Sequence, residues 1–252
     1  MPKKIPITET GEGGTLKSRM FPFITCTWNP LGGECLHKCT YCWARKLAAE
    51  KKMLKYQGEP RIIEKELKRQ FKQDDFVFVE DMSDLFGDWV ASYLLSYVFV
   101  KIQAILLDNV KTQFLFLTKN PKRYYHLGNT LPRRIVILGC TIESNRDYLL
   151  SFAPRQSERI SWMQRLTIDY AATANYQRFL SIEPILDFDL EDFSRQIIAI
   201  EPWAVAVGYD NYANKLPEPP LAKTMQLIEA LEKAGITVYR KTLREAWNSG
   251  FS

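Results

Sequence analysis

"IVILGCTIESN", residues 135–145, runs apolar through Leu138 and then turns polar at Thr141, Glu143 and Asn145. A near-continuous apolar run ending in a polar cluster reads as a parallel strand buried on both faces, with its C-terminal end at a rim. The same pattern recurs in "FVFVEDMSD" at 76–84, "QFLFLTKN" at 113–120, "RFLSIEP" at 178–184 and "WAVAVGYDN" at 203–211. With "FITCT" and "ITVYR" added, strands are expected at 23–27, 76–80, 113–118, 135–141, 178–183, 203–208 and 236–240. Helical stretches are expected between them, near 43–56, 61–71, 91–109, 121–127, 161–175 and 219–234. The last begins after the prolines of "PEPP" and stops at Gly235, a suitable start and stop. Alternating strand and helix implies an α/β fold of βα units around a parallel sheet, either open or closed into a complete or partial barrel. The polar residues gathered at each strand end favour the barrel, because that rim carries the site in such folds. One domain is expected over residues 21–252, with residues 1–20 as an N-terminal arm.

The composition is that of a globular protein, with 46% hydrophobic and 25% charged residues. No stretch approaches the roughly 20 apolar residues that a membrane-crossing helix needs. The opening "MPKKIPITETGEGG" has no apolar run after its lysines, so no secretory signal and no membrane partner are expected. Five cysteines, three of them clustered, argue against a disulfide framework, and the expected location is cytoplasmic. The net charge is +5 and sits in the first third: residues 1–75 hold 15 Lys and Arg against 9 Asp and Glu. Such an excess suits a partner bearing negative charge, although solvated helix faces account for most lysines of this kind.

The cluster itself is "ECLHKCTYCWARK", residues 34–46, in which Cys35, Cys39 and Cys42 follow the spacing C-x3-C-x2-C. A structural zinc ion wants four ligands, and Cys26 or His37 are the residues that could complete such a set. A 4Fe-4S cluster can instead take its thiolates from one short run, each on a different iron. Held by three cysteines, it keeps one iron open to a substrate or cofactor. Gly32 and Gly33 would let the backbone approach such a cluster closely.

This spacing, with Tyr41 before the last cysteine, resembles the signature of the radical S-adenosylmethionine (SAM) superfamily. "TWNP" at 27–30, "MSDLF" at 82–86, "LTKNPKRY" at 117–124, "GCTIESN" at 139–145 and "RFLSIEPIL" at 178–186 resemble successive blocks of one set of its relatives. That set comprises uncharacterised radical-enzyme-like proteins first noted among phage products. Its members usually carry a longer insert around the cysteines, whereas this chain has the compact superfamily spacing. The resemblance covers residues 25 to about 247.

What it implies is a partial (β/α)6 TIM-type barrel holding the cluster at its mouth, with SAM chelating the open iron. Reductive cleavage of SAM would yield a 5′-deoxyadenosyl radical, which abstracts hydrogen from a substrate inside an enclosed site. The electron would come from an external one-electron reductant of the flavodoxin or ferredoxin type. The same resemblance puts Tyr41 near the adenine and Ser83 near the methionine amino group, where superfamily members often have Gly-Gly-Glu. Ser83 equally suits an N-cap. Thr118 and Lys119 end the third strand, with Lys119 placed either to pair with the methionine carboxylate or to stand in solvent. Glu143 and Asn145 would hold the ribose hydroxyls, or cap and solvate the following turn. Glu183 shares a strand face with Ser181, so both are expected to face the lumen, where a carboxylate needs a partner or a ligand. Cys140 falls on the opposite face, which makes it a buried structural thiol rather than a hydrogen-atom donor of the kind found in spore photoproduct lyase.

No catalytic residue beyond the ligand sets is evident, and the substrate is not legible, although a short barrel with a wide mouth suits a nucleic acid or a protein. The rival readings are a non-catalytic zinc- or cluster-binding module engaging nucleic acid, and an electron-transfer protein lacking its usual fourth cysteine.

Overall fold

Phe23 touches the rings of Phe76, Phe179, Trp203 and Tyr239 at centroid distances of 4.8 to 5.5 Å. That one contact set dictates the shape of the sheet. In the computed structural model, which describes residues 20–108, 111–132, 136–168 and 176–247, seven strands pair in parallel in a single order. They are β1 (Cys26–Trp28), β4 (Phe76–Val79), β5 (Gln113–Thr118), β6 (Val136–Thr141), β7 (Gln177–Ile182), β8 (Ala204–Val207) and β9 (Thr237–Arg240). In a flat sheet β4 and β9 would lie roughly 24 Å apart, at about 4.8 Å per strand. A single ring bridging them requires the sheet to curl into a half-barrel.

The helices lie between the strands: α1 (Trp43–Glu50), α2 (Glu64–Leu67), α3 (Ser92–Asp108), α4 (Lys122–Leu127), α5 (Gln156–Ile168), α6 (Leu190–Ile198) and α7 (Leu221–Lys233). Six βα units and a closing strand result, the expected partial TIM-type barrel. Strand parity sorts the core into two shells. Val77, Val79, Phe114, Phe116, Leu138, Cys140, Leu180, Ile182, Val205 and Val207 pack outward under the helices. Phe76, Phe78, Leu115, Ile137, Phe179, Ala204 and Ala206 point inward, where Phe21 joins them and Phe23 packs against them. These rings fill the N-terminal half of the lumen and leave the C-terminal half for the site. Cys140 lies in the outer shell, fully buried, as its parity implied.

Each of the seven expected strands is present, and the largest displacement is at β1, which starts at Cys26 rather than residue 23. The residues before it serve as the lumen plug. Several helix expectations need correction, the first being that near 43–56, which ends at Glu50 and is followed by a separate 3-10 turn, Leu54–Tyr56. Residues 61–71 do not form one helix: Arg61–Ile62 is β3, paired antiparallel with β2 (Leu31–Gly32), and only the single turn α2 follows. Helix α6 was not expected, although Leu190, Phe193 and Ile197 recur at helical spacing behind an acidic first turn. Helix α5 begins at Gln156, earlier than expected, and residues 169–175 lie outside the described residues, as do residues 1–19 of the expected arm. No described helix is long and apolar enough to cross a membrane.

Candidate functional site

The loop between β1 and α1 carries the cysteines and is fastened from three sides. The β2–β3 clip holds its base, reinforced by Ile63 N donating to Pro30 O at 2.8 Å and Gly33 N donating to Lys55 O at 2.8 Å. Here the glycines find their reason. A Cβ on Gly32 would meet Lys55 O at 2.7 Å, and Gly33 has φ of +112° with Pro60 and Glu59 at 2.8 Å from its Cβ direction. The close approach that these glycines permit within the protein is to the clip. Farther along, Thr40 N donates to Leu150 O at 2.9 Å and Phe152 N to His37 O at 2.7 Å. Cys42 then caps α1, its Sγ accepting from Arg45 N at 3.3 Å.

Cys35, Cys39 and Cys42 all line one cavity of about 470 Å3 at the barrel mouth. Much of its wall comes from the strand ends: Glu80–Asp84 after β4, Leu117–Lys119 from β5, Thr141 from β6, Ser181, Glu183 and Pro184 at the end of β7, and Tyr209–Tyr212 after β8. Burial pushes the Cys35 thiol up to about 12, with nearby Asp84 adding to the effect, and burial likewise raises Cys39. These thiols stay protonated until something cationic replaces the proton. Among the described residues, no three His, Cys, Asp or Glu side chains converge as ligands of a single metal ion.

Two buried networks stand behind the loop. In the first, His37 Nε2 meets Asp84 Oδ2 at 2.7 Å, and Asp84 also accepts from the Thr118 hydroxyl at 2.8 Å, Lys119 N at 2.9 Å and Phe86 N at 2.9 Å. Burial works to raise the Asp84 carboxyl, but the contact with His37 and these hydrogen bonds hold it below its ordinary value. His37 Nδ1 is buried with no hydrogen-bond partner among the described residues. In the second network, Glu143 is fully buried and receives Arg159 Nη1 at 2.7 Å, the Lys119 ammonium and the Tyr41 hydroxyl. Arg159, only 1% exposed, also donates to Thr141 O at 3.0 Å and Pro154 O at 2.7 Å. Burial opposes ionisation of Glu143, yet Arg159 and then Lys119 more than offset it and bring its pKa down to about 2. Burial and then the Glu143 charge push the Tyr41 hydroxyl well above its ordinary range.

The structure thus brings Tyr41, Ser83, Thr118, Lys119 and Glu183 to the cavity with the three cysteines, while Glu143 and Asn145 stand outside its lining. Glu143 serves as the anchor of Lys119 and Tyr41, and Asn145 Oδ1 accepts from Asp189 N at 2.9 Å. Lys119 is not in solvent, and the turn after β4 is capped by Asp84 rather than Ser83. Ser181 and Glu183 face the lumen as expected. Burial raises Glu183 to about 7, with Lys241 only partly countering it. Glu80, at φ of +63°, is 1% exposed. Its Oε2 accepts from Leu31 N at 3.0 Å, whereas Oε1 is buried with no partner among the described residues. Burial therefore pushes its pKa well up.

Sequence reasoning did not single out Arg159, Asp84 or Asp210. The one available signal was Asp84 within the "MSDLF" block. Asp210 follows β8 and accepts from Tyr212 N at 3.1 Å and Asn214 N at 2.6 Å, shaping the cavity wall there.

A family model described as "Protein of unknown function (DUF5131)" matches residues 20–210. No curated protein matches the sequence. Among solved structures, SuiB of Streptococcus suis bound to S-adenosylmethionine superposes with a TM-score of 0.50 at 11% identity, over 88% of this chain and 50% of that one. A radical SAM methyltransferase from Sphaerobacter thermophilus superposes with a TM-score of 0.49 at 13% identity, over 88% and 67%. At such identity the likeness to SuiB is one of fold, and this chain spans about half of SuiB's length.

Proposed function

The chain belongs to the DUF5131 family, and we propose that it is a radical SAM enzyme whose iron–sulfur cluster is held by Cys35, Cys39 and Cys42. The observation that carries this reading is the meeting of the three thiols of one C-x3-C-x2-C loop at a cavity on the barrel's C-terminal rim. The donor chemistry fits the group: three thiols from one short loop, all lining one cavity, suit a 4Fe-4S cluster, in which each would take a different iron. When bound, that cluster supplies the electron that cleaves SAM to a 5′-deoxyadenosyl radical.

The chain's own residues do the rest. Glu80 Oε1, buried with no partner among the described residues, suits an ammonium group such as that of the methionine moiety, whose charge would favour the ionised carboxylate. Tyr41, fixed by Glu143 and Lys119, offers a rigid ring beside the last two cysteines. Ser83 and Thr118 add hydroxyls, although Thr118 is already engaged by Asp84. Phe21 and Phe78 close the cavity floor and keep water from entering from below. Glu183 stands on the cavity wall at the end of β7, free of side-chain hydrogen bonds among the described residues, where it can meet a donor on cofactor or substrate. Five carboxylates line the cavity (Glu80, Asp81, Asp84, Glu183 and Asp210) against one lysine, Lys119. Burial holds Glu80 and Glu183 back from ionising, but Lys119 is already engaged by Glu143. A phosphate backbone therefore finds no free cation among the described residues of this lining, and a protein side chain is the favoured macromolecular substrate over nucleic acid. An external flavodoxin- or ferredoxin-type donor completes the scheme.

A second reading rests on His37. Its Nε2 is anchored on Asp84, as metal-ligating histidines are anchored on carboxylates, and its Nδ1 is buried with no hydrogen-bond partner among the described residues. Were Nδ1 to close the fourth position, the site would be a sealed Cys3His centre without radical chemistry. Anaerobic reconstitution separates the two. Four irons and four sulfides per chain, with 5′-deoxyadenosine released on reduction with SAM, support the first reading. A single tightly held zinc and no deoxyadenosine support the second.

A further inference from the structure

Helix α3 is apolar on both sides. Its inner face, with Leu94, Leu95, Val98, Phe99, Ile102 and Ile105, is buried against the sheet. Its outer face should be polar in a helix that ends at water. Instead, Tyr93, Tyr97, Val100 and Leu107 stand 64%, 55%, 63% and 86% exposed, with Ala104 exposed among them. The intervals along this series are four, three, four and three residues. At 3.6 residues per turn they place all five side chains within an arc of about 80°, the a/d seam of a helix that packs lengthwise on another helix. No charged residue interrupts the seam; Lys101 and Asp108 lie beside it.

We propose that this seam is the interface between two copies of the chain, packed antiparallel about a two-fold axis midway between Tyr97 and Val100. The occupant follows from self-complementarity. An isologous contact must match its own reverse, and the intervals four, three and four from Tyr93 to Ala104 do so. Tyr93 meets the partner's Ala104, and Tyr97 meets the partner's Val100. The bulky Tyr93 ring thus faces the small alanine that leaves room for it, knob into hole. The area agrees as well: the exposed parts of these residues come to roughly 500 Å2 per copy, so roughly 1,000 Å2 for the pair, which reaches the size of a specific interface. The seam lies on the outer shell of the barrel, on the helix after β4, so pairing leaves the cavity mouth accessible and does not depend on the proposed chemistry.

Sedimentation equilibrium of the full chain tests this without any cofactor. The parent chain is expected to dimerise, and Val100→Glu, which buries a carboxylate against the partner's Tyr97 and brings two of them close beside the axis, to weaken the dimer on the order of a hundredfold or more. The substitution is at an exposed site, so circular dichroism and thermal midpoint should stay at parent values. Val100→Cys treated with a short bismaleimide should give a covalent dimer well above the background that the natural cysteines of the parent produce. A parent chain that stays monomeric at high micromolar concentration overturns the proposal. So does a dimer indifferent to Val100→Glu, a Val100→Cys dimer that fails to cross-link, or a seam that takes the chain onto phosphatidylcholine vesicles instead.

Discussion

Replacing Glu143 by Gln probes the ionic anchor behind the cluster loop. In the folded protein the carboxyl titrates near 2 instead of its ordinary 4.5, since Arg159 and Lys119 outweigh its burial. At about 1.36 kcal/mol per pKa unit, that difference is worth about 3 kcal/mol at neutral pH. The sign follows from linkage: a depressed carboxyl stabilises the fold above the unfolded-state pKa, and the contribution fades as pH falls from about 5 toward 2. Glu143→Gln should therefore cost about 3 kcal/mol at pH 7, in part because Arg159 is left buried without its counter-charge. For a chain of this size the midpoint should drop by roughly 6–12 °C. Urea unfolding of both proteins across pH gives the profile. The gap should be widest above pH 5 and close as the parent's own Glu143 takes up its proton. A loss under 1 kcal/mol at pH 7, or a gap that is flat in pH, would refute the reasoning.

Glu183 carries the opposite sign. Its carboxyl is raised to about 7, so its burial destabilises the fold as pH rises through that value. Glu183→Gln should be on the order of 1–3 kcal/mol more stable than the parent at pH 8 and equal to it at pH 4 in the same unfolding assay; equal stability at pH 8 counts against the buried lumen position. Phe23→Ala removes the ring that joins both ends of the sheet and should cost about 2–3 kcal/mol of unfolding free energy, with a loss below 1 kcal/mol contradicting the plug.

The barrel was legible because its strands are short apolar runs with polar ends, and side-chain alternation alone separates Cys140 and Ile182 from Ser181 and Glu183. What escaped was set by tertiary contact. Arg61 and Ile62 have helical neighbours, yet they pair with Leu31 and Gly32 because the cysteine loop must be clipped back onto β1. Glu143 reads as a rim carboxylate, but Arg159, one helix further on, folds beneath it and makes it an anchor. His37 and Asp84 are 47 residues apart, and nothing local announces their meeting. The cysteines themselves needed no tertiary information beyond the βα frame, since all three ride on one loop.

The account rests on one iron being left open by the protein. The most direct test is the electron paramagnetic resonance spectrum of the anaerobically reconstituted, reduced chain, recorded with and without SAM. An open iron predicts a spectrum that changes when SAM is added and a cluster signal lost in Cys35→Ala, Cys39→Ala and Cys42→Ala alike. A spectrum that SAM leaves unchanged, with His37→Ala opening it to change, would show the fourth position closed by the protein and contradict the radical reading.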